Sequence, residues 1–304
     1  MHPILKIGLP AVFLQCGCMG CAALSKTQIE AVSRFSTACD SIAAYPGTFF
    51  RELSELRTRN DVYYTASLFT PEVRTEALDA LYKASETELR LANKANMGFE
   101  VLREYMRALR SLAHENRYSD LFRETRSLGK NLDSLIYRYN DFVPAHPLPT
   151  GLGKSAGQIV AAGARIWMRH RQGQQVRYFV GQGDTLVSLL TANLVELLQS
   201  EALEAMLENQ ITTQRRNYLG YLRRFPDSPP EEDRLYLERI EASQNLRDTR
   251  NRVVRSARSL RNAHKKLHAA LHSRKDYQAF YDELVFMERE LKQIHRSLKP
   301  FVAL

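Results

Sequence analysis

Apolar residues along this chain recur every three or four positions, with little else competing. From Leu24 to Ala44 the pattern is that of an amphipathic helix, and the run stops at Tyr45-Pro46-Gly47. A second run covers Phe49 to Leu68. Thr70-Pro71-Glu72 then combines an N-cap hydroxyl with proline in a first turn, which predicts a helix start. The helix it opens is expected to reach about Ala113, with Ala95, Phe99, Leu102, Met106, Leu109 and Ala113 alternating spacings of four and three. A further run from Ser119 to Phe142 ends ahead of Pro144, Pro147 and Pro149. Thr185 to Arg224 reads as one helix with a broad apolar face through Leu190, Leu194, Leu197 and Leu198. Ser228-Pro229-Pro230-Glu231 reads as a capping box with prolines inside it. The helix after it carries Val253, Ala257, Leu260, His264, Leu267 and Leu271 on one stripe. Beyond a phase break near Ser273, Phe280, Leu284, Met287, Leu291, Ile294 and Leu298 form another.

No run of alternating β-branched residues bounded by turns occurs, and no solenoid-length period recurs. The predicted class is all-α. Helices of about 40 residues extend about 60 Å, which points to an elongated up-and-down bundle with coiled-coil-like seams. The proline cluster divides the chain into an N-terminal helical region, 21–143, a Pro/Gly hinge, 144–154, and a C-terminal helical region, 155–304. One continuous bundle is the alternative to two.

Composition narrows this little further. With 44% hydrophobic and 25% charged residues in 304, disorder and collagen-like fibres are excluded. Fourteen Gly and 11 Pro are too few for a turn-rich β or α/β protein.

The first residues carry a different signal. Lys6 precedes an apolar run from Ile7 to Leu14, followed by Gln15-Cys16-Gly17-Cys18-Met19-Gly20-Cys21. That run is too short to span a bilayer but suits a secretory leader. Cys21, preceded by Gly20 and followed by Ala22-Ala23, resembles the lipobox of bacterial lipoproteins. Cys18 stands where that family usually carries Leu, and with Gly17 before it Cys18 is a second candidate. The resemblance covers about the first 25 residues. It implies that 1–20 is a signal peptide, that Cys21 is acylated (palmitate among the acyl groups), and that the protein is held in the cell envelope. Ala after the cysteine implies the outer membrane, facing the periplasm. Two other readings of Cys16, Cys18, Cys21 and Cys39 are a soft-metal site and a disulfide framework. With the leader removed, Cys39 is left as a small buried hydrophobe.

Leu148-Pro149-Thr150-Gly151-Leu152-Gly153-Lys154-Ser155 resembles the phosphate-binding loop of helicase-type NTPases, with Gly151, Gly153, Lys154 and Ser155 at the matching positions. Leu148 departs from the pattern, which has Gly or Ala there. Such a loop follows a buried strand, and 139–146 is not one. The expectation is a hinge beside a helix start, with no cofactor and no metal.

Next, Gly153, Gly157 and Ala161 recur every four residues within a segment, 151–183, whose cations include Arg165, Arg169 and Arg171. With Trp167 among them, this segment reads either as a close-packed helical hairpin or as an interfacial membrane element.

The net charge is +9. Arg215, Arg216, Arg223 and Arg224 interleave with aromatics at a helix end, while Arg258, Arg261 and Lys265 share a face with Arg247. Arg252, Arg255 and Lys266 line another face. These are candidate contacts to an anionic surface. In an exported protein the polyanion is expected to be lipid headgroup or cell-wall polymer, with nucleic acid disfavoured.

No His-Glu-x-x-His, no Gly-x-Ser-x-Gly and no Glu-x-x-His facing a core is found, so no catalytic residues are assigned. His264 is expected to be a satisfied core histidine. The sequence therefore points to a membrane-tethered, non-enzymatic scaffold, adaptor or immunity-type binding protein. Its partner would be an envelope protein or an anionic lipid or wall polymer. Two alternatives stand beside it: a membrane-active protein inserting a hairpin around 151–183, and a cytosolic nucleotide- or nucleic-acid-binding protein. Oligomeric state is left open.

Overall fold

The structure, a computed structural model, describes residues 24–43, 45–113, 118–154, 168–273 and 277–302. Eight helices make up these residues, with no strand among them. They are α1 (Lys26–Ile42), α2 (Tyr45–Ser67), α3 (Pro71–Ala113), α4 (Tyr118–Phe142), α5 (Met168–Leu198), α6 (Glu201–Arg224), α7 (Pro230–Ser273) and α8 (Gln278–Val302). The protein is all-α.

The caps show why several helices begin where they do. Ser25 and Gln28 form a reciprocal capping box: Ser25 Oγ accepts from Gln28 N–H at 3.2 Å, and Gln28 Oε1 accepts from Ser25 N–H at 2.9 Å. Thr70 Oγ1 accepts from Val73 N–H, so α3 starts where the Thr-Pro-Glu string predicts. Glu201 and Glu204 in the first turn of α6, with Arg223 and Arg224 in its last, complement the helix dipole.

Three local expectations are corrected. Pro46 and Gly47 lie inside the first turn of α2 and do not break the chain. Proline is tolerated there because its missing N–H has no helical partner to lose. Gly47 leaves room for the Asn96 side chain, since a Cβ would come within 1.8 Å of Asn96 Oδ1. The expected helix 185–224 is two helices, because Ser200 interrupts it and caps α6 through Leu203 N–H. Ser228 does not close a capping box, since its hydroxyl donates to Tyr221 Oη and α7 starts at Pro230.

Heptad-like seams build the core. Ala95, Phe99, Leu102, Met106, Leu109 and Ala113 are all buried, as are Val253, Ala257, Leu260, His264, Leu267 and Leu271, and Phe280 through Ile294 on their stripe. Phe35, Phe49, Phe50, Phe179, Phe280 and Tyr105 are fully buried, each contributing roughly 1.5–3 kcal/mol by removal from water. One apolar cluster runs from Leu24 to Ile294. In it α3 packs on α2, α4 and α5, while α7 packs on α8, α5, α2 and α1. The regions on either side of the proline cluster thus share a core.

Within 173–224 the chain is long and apolar enough to cross a bilayer, the one such stretch among the described residues. Val187, Leu190, Leu194 and Leu198 in it are core residues, so packing uses part of that apolarity, and 39% of the most apolar window is buried.

The Pro/Gly segment is an ordered corner. Asn140 brackets Leu148, donating to its carbonyl at 2.9 Å and accepting from its N–H at 2.7 Å. Gly151 takes φ +86°, which favours glycine. A new helical turn starts at Leu152. Gly153 lies so close to Gly129 that a Cβ on Gly129 would meet the Gly153 carbonyl at 2.3 Å.

Candidate functional site

Where α6 leaves the common core it lies beside the second half of α2, and buried amides set its register. Asn60 Nδ2 donates to Gln210 Oε1 at 3.1 Å, and Asn217 Nδ2 reaches the Asn60 carbonyl at 3.5 Å and Asp61 Oδ1 at 3.4 Å. Ser243 Oγ of α7 donates to Gln214 Oε1 at 3.4 Å. Below them an aromatic cluster fixes the end of α6. Tyr218 stacks on Tyr236 with centroids 4.3 Å apart, Tyr63 donates to Glu232 Oε2 at 3.0 Å, and Tyr218 donates to Asp233 Oδ1 at 2.5 Å. Arg239 sits 4.0 Å over the Tyr63 ring.

With Asn217, Tyr218 and Tyr221 turned inward, helical periodicity turns Thr212, Arg215, Arg216, Leu219 and Arg223 outward. They line a cavity of about 480 Å³ closed on the α2 side by Tyr64 and Ser67. A second cavity of about 600 Å³ shares Tyr64, Arg216 and Asn217 with the first. Its far wall is the small apolar stripe Ala77, Ala80, Leu81 and Ala84 on the first half of α3. That half of α3 is mostly exposed, which leaves the groove open. Arg57 and Asp61 form the floor. Arg57 Nη1 pairs with the buried Glu88 at 2.9 Å, while its Nε and Nη2 have no hydrogen-bond partner. Burial raises the Asp61 and Glu88 carboxyls above their ordinary values, with Arg57 opposing in both.

The cations divide into two kinds. Arg215, Arg216, Arg223 and Arg224 are exposed, and among the described residues none has a carboxylate at ion-pair distance. Arg224 lies 4.8 Å over the exposed Phe69 ring. On α7 the stripe of Arg252, Arg255 and Lys266 is neutralised, whereas in the stripe of Arg247, Arg258, Arg261 and Lys265 only Arg247 has a carboxylate partner among the described residues. Arg247 pairs with Glu204 and Glu208, Arg250 with Glu204, Arg252 and Arg255 with Glu290, and Lys266 with Glu283. Arg258 donates to Gln199 Oε1 at 2.8 Å. Arg261 and Lys265 are exposed. Arg169 and Arg171 stand in the first turn of α5, where side chains are not described; Arg165, the rest of 155–167 and the cysteines at 16, 18 and 21 lie outside the described residues.

The loop resembling a phosphate cradle has its donors occupied. Gly153 N–H donates to Asp133 Oδ1 and Lys154 N–H to Asp133 Oδ2, both at 2.8 Å. The α4 carboxylate holds the position an external anion would take. Ser155 lies outside the described residues. Cys39 is buried, and burial pushes its thiol well up. Among the described residues no group of three His, Cys, Asp or Glu could hold a metal.

His264 sits in the core between Tyr105, whose hydroxyl lies 2.9 Å from Nε2, and Asp184, 3.2 Å from Nδ1. Every polar atom of the ring is matched, as expected of a satisfied core histidine.

No family model matches the chain, and none of the curated proteins or solved structures compared with it matches either.

Of the groove, the α6 arginines are the part visible in the sequence. The α2 and α3 walls are not, because Tyr64, Ser67 and the Ala77–Ala84 stripe carry no charge pattern and reach the site only by folding.

Proposed function

We propose that this is a membrane-tethered, non-enzymatic binding protein that holds an acidic segment of a protein partner in the α2–α3–α6 groove. The observation that carries the reading is where the unmatched cations stand. Arg247, Arg252, Arg255 and Lys266 of α7 are matched by carboxylates, and Arg261 and Lys265 are exposed but line neither cavity of the groove. Arg215, Arg216 and Arg223 converge on an open cavity with no described carboxylate at ion-pair distance. Guanidinium groups recognise carboxylates through paired charge-assisted hydrogen bonds. Tyr64, Ser67 and Thr212 add hydroxyls, and the Ala77–Ala84 stripe with Leu219 offers apolar contact that a protein segment can use and a wall polymer cannot.

The distance between the two ends of α7 supports the tethered arrangement. Near its C-terminus, the Leu271 carbonyl accepts from Gln28 Nε2, a few residues after Cys21. Near its N-terminus, Glu232 and Asp233 hold Tyr63 and Tyr218 under the groove. At 1.5 Å per residue these points stand about 60 Å apart, so the chain that follows Cys21 enters the fold at the end of α7 opposite the groove.

Two experiments test the reading. Metabolic labelling with a fatty acid should mark wild type and not Cys21→Ala; unlabelled, soluble wild type would remove the tether. A photo-crosslinking residue at Leu219 should capture a discrete protein band that Arg216→Glu/Arg223→Glu abolishes. A control crosslinker at the exposed Leu237 should not give that band. A Leu219 crosslink indifferent to the two charge reversals would overturn the groove assignment.

A further inference from the structure

A third cavity, separate from the groove, opens between α3, α4 and α5 and has a volume of about 290 Å³. Its walls are Leu91, Phe99, Leu102, Leu190, Leu194 and Leu197. Polar groups along these walls bond to one another or to backbone. Tyr139 Oη accepts from Asn193 Nδ2 at 3.2 Å, and Thr191 Oγ1 donates to the Val187 carbonyl at 2.7 Å. A water needs two to four polar partners to reside in a cavity, so this interior favours an apolar occupant.

Charge is confined to the rim. Glu196 Oε1 lies 3.9 Å from His146 Nε2 on the exposed rim, a pair that is ionic only when the imidazole is protonated. Lys94, exposed and with no ion-pair partner among the described residues, leans over Phe142 with its ammonium 5.8 Å from the ring centroid. The rim is held in place, because the chain after α4 is fixed by the two hydrogen bonds between Asn140 and Leu148.

A half-open, largely apolar slot with a cation free of ion pairs at its mouth matches a molecule with an apolar tail and an anionic head. We propose that this cavity binds a single medium-length acyl chain, tail among the leucines and carboxylate or phosphate head against Lys94. The size lies at the lower end of ligand cavities, which excludes a two-chain lipid. The site stands apart from the basic groove, and neither assignment depends on the other.

Calorimetric titration of the full chain with decanoate, decanol and decyltrimethylammonium, all below their micelle concentrations, tests this. Decanoate should saturate at one molecule per chain and bind more tightly than the cationic amphiphile. Lys94→Glu should weaken decanoate by about tenfold and leave decanol within about twofold, since it removes a charge-assisted contact at an exposed position. Ala95→Leu, which fills the cavity from the α3 wall, should abolish binding of all three while the melting transition is retained. Decanoyl-lysophosphatidylglycerol in the same assay distinguishes a membrane lipid from a free fatty acid by which anion binds more tightly. Equal affinity for the cationic amphiphile, binding unchanged in Ala95→Leu, or no saturation at millimolar decanoate would each overturn the proposal.

Discussion

Tyr105 and His264, far apart in sequence, meet in the core at 2.9 Å, the phenol donating to Nε2 of a histidine with no exposed surface. The ionised Asp184 carboxylate can only accept, so it takes the Nδ1 proton, and Nε2 of the neutral ring is left to accept from the phenol. Phe179 stacks on Tyr105 at 5.1 Å and the Phe35 ring lies 5.7 Å from His264, so neither polar group has water to replace its partner.

Tyr105→Phe should therefore lower stability by about 1–3 kcal/mol in urea unfolding, the cost of an unmatched buried acceptor. Gly183→Ala should have a similar effect by a different route, because its Cβ would come 2.1 Å from the Tyr105 hydroxyl.

The same network sets an acid limit. Burial holds the His264 imidazole below its ordinary value of 6.5, with Asp184 opposing. A depressed histidine contributes fully above that ordinary value, and its contribution is lost as pH falls through the lower folded value. Asp184, held down chiefly by its hydrogen bond to His264, adds a further loss below its ordinary 3.8. Stability measured against pH should begin to fall below about 6.5, and His264→Gln should reduce that first decline, leaving the part due to His268, whose imidazole burial also holds down. The same decline in the variant would count against the assignment.

Glu52 acts in the opposite direction. It is buried in α2 with Oε2 unpartnered, and burial, then Glu55, push its carboxyl up to about 7. A raised carboxyl contributes below its ordinary 4.5 and loses that contribution as pH rises through about 7. Glu52→Gln should match wild type in mild acid and exceed it by on the order of 1–3 kcal/mol at about pH 8. Thermal melts at the two pH values provide the comparison.

Two kinds of cation should respond differently to substitution. Glu290, nearly buried, accepts from Arg255 at 2.9 Å and Arg252 at 3.5 Å, so Glu290→Ala should destabilise by about 1–3 kcal/mol. Arg216→Glu removes no observed carboxylate contact and should stay within about 0.5 kcal/mol of wild type. Denaturant midpoints for both variants would separate structural cations from those free to bind.

At the proline corner, Asp133→Ala should cost about 1–2 kcal/mol by freeing the Gly153 and Lys154 N–H groups. Gly129→Ala should be more damaging, because backbone blocks the added methyl. Chemical denaturation of the pair ranks the two effects.

Much of the helical content could be read from the residues alone, down to the Thr70-Pro71 start and the burial of Cys39. The errors fell at element ends. Pro46 and Gly47 look like punctuation, yet α2 absorbs them because Asn96 of α3 packs where a side chain would stand. Ser200 carried no obvious break signal inside an apolar run, but it ends one helix and caps the next. The groove was half visible: the arginines of α6 are conspicuous, the uncharged walls that shape it are not.

The stripes through Phe99 and Leu260 needed no knowledge of their partners, since which residues share a helix face depends only on their spacing. What could not follow from spacing is which charges cancel. Arg255 and Arg216 look alike in the chain, but Glu290 comes to the first from another helix, and no described carboxylate comes to the second. Asp133 likewise reaches Gly153 from α4 to occupy the donors of a loop that resembles a nucleotide site. Charge pairing and anion access depend on side chains brought within a few ångströms across helices, and only the packing of the long seams sets those distances.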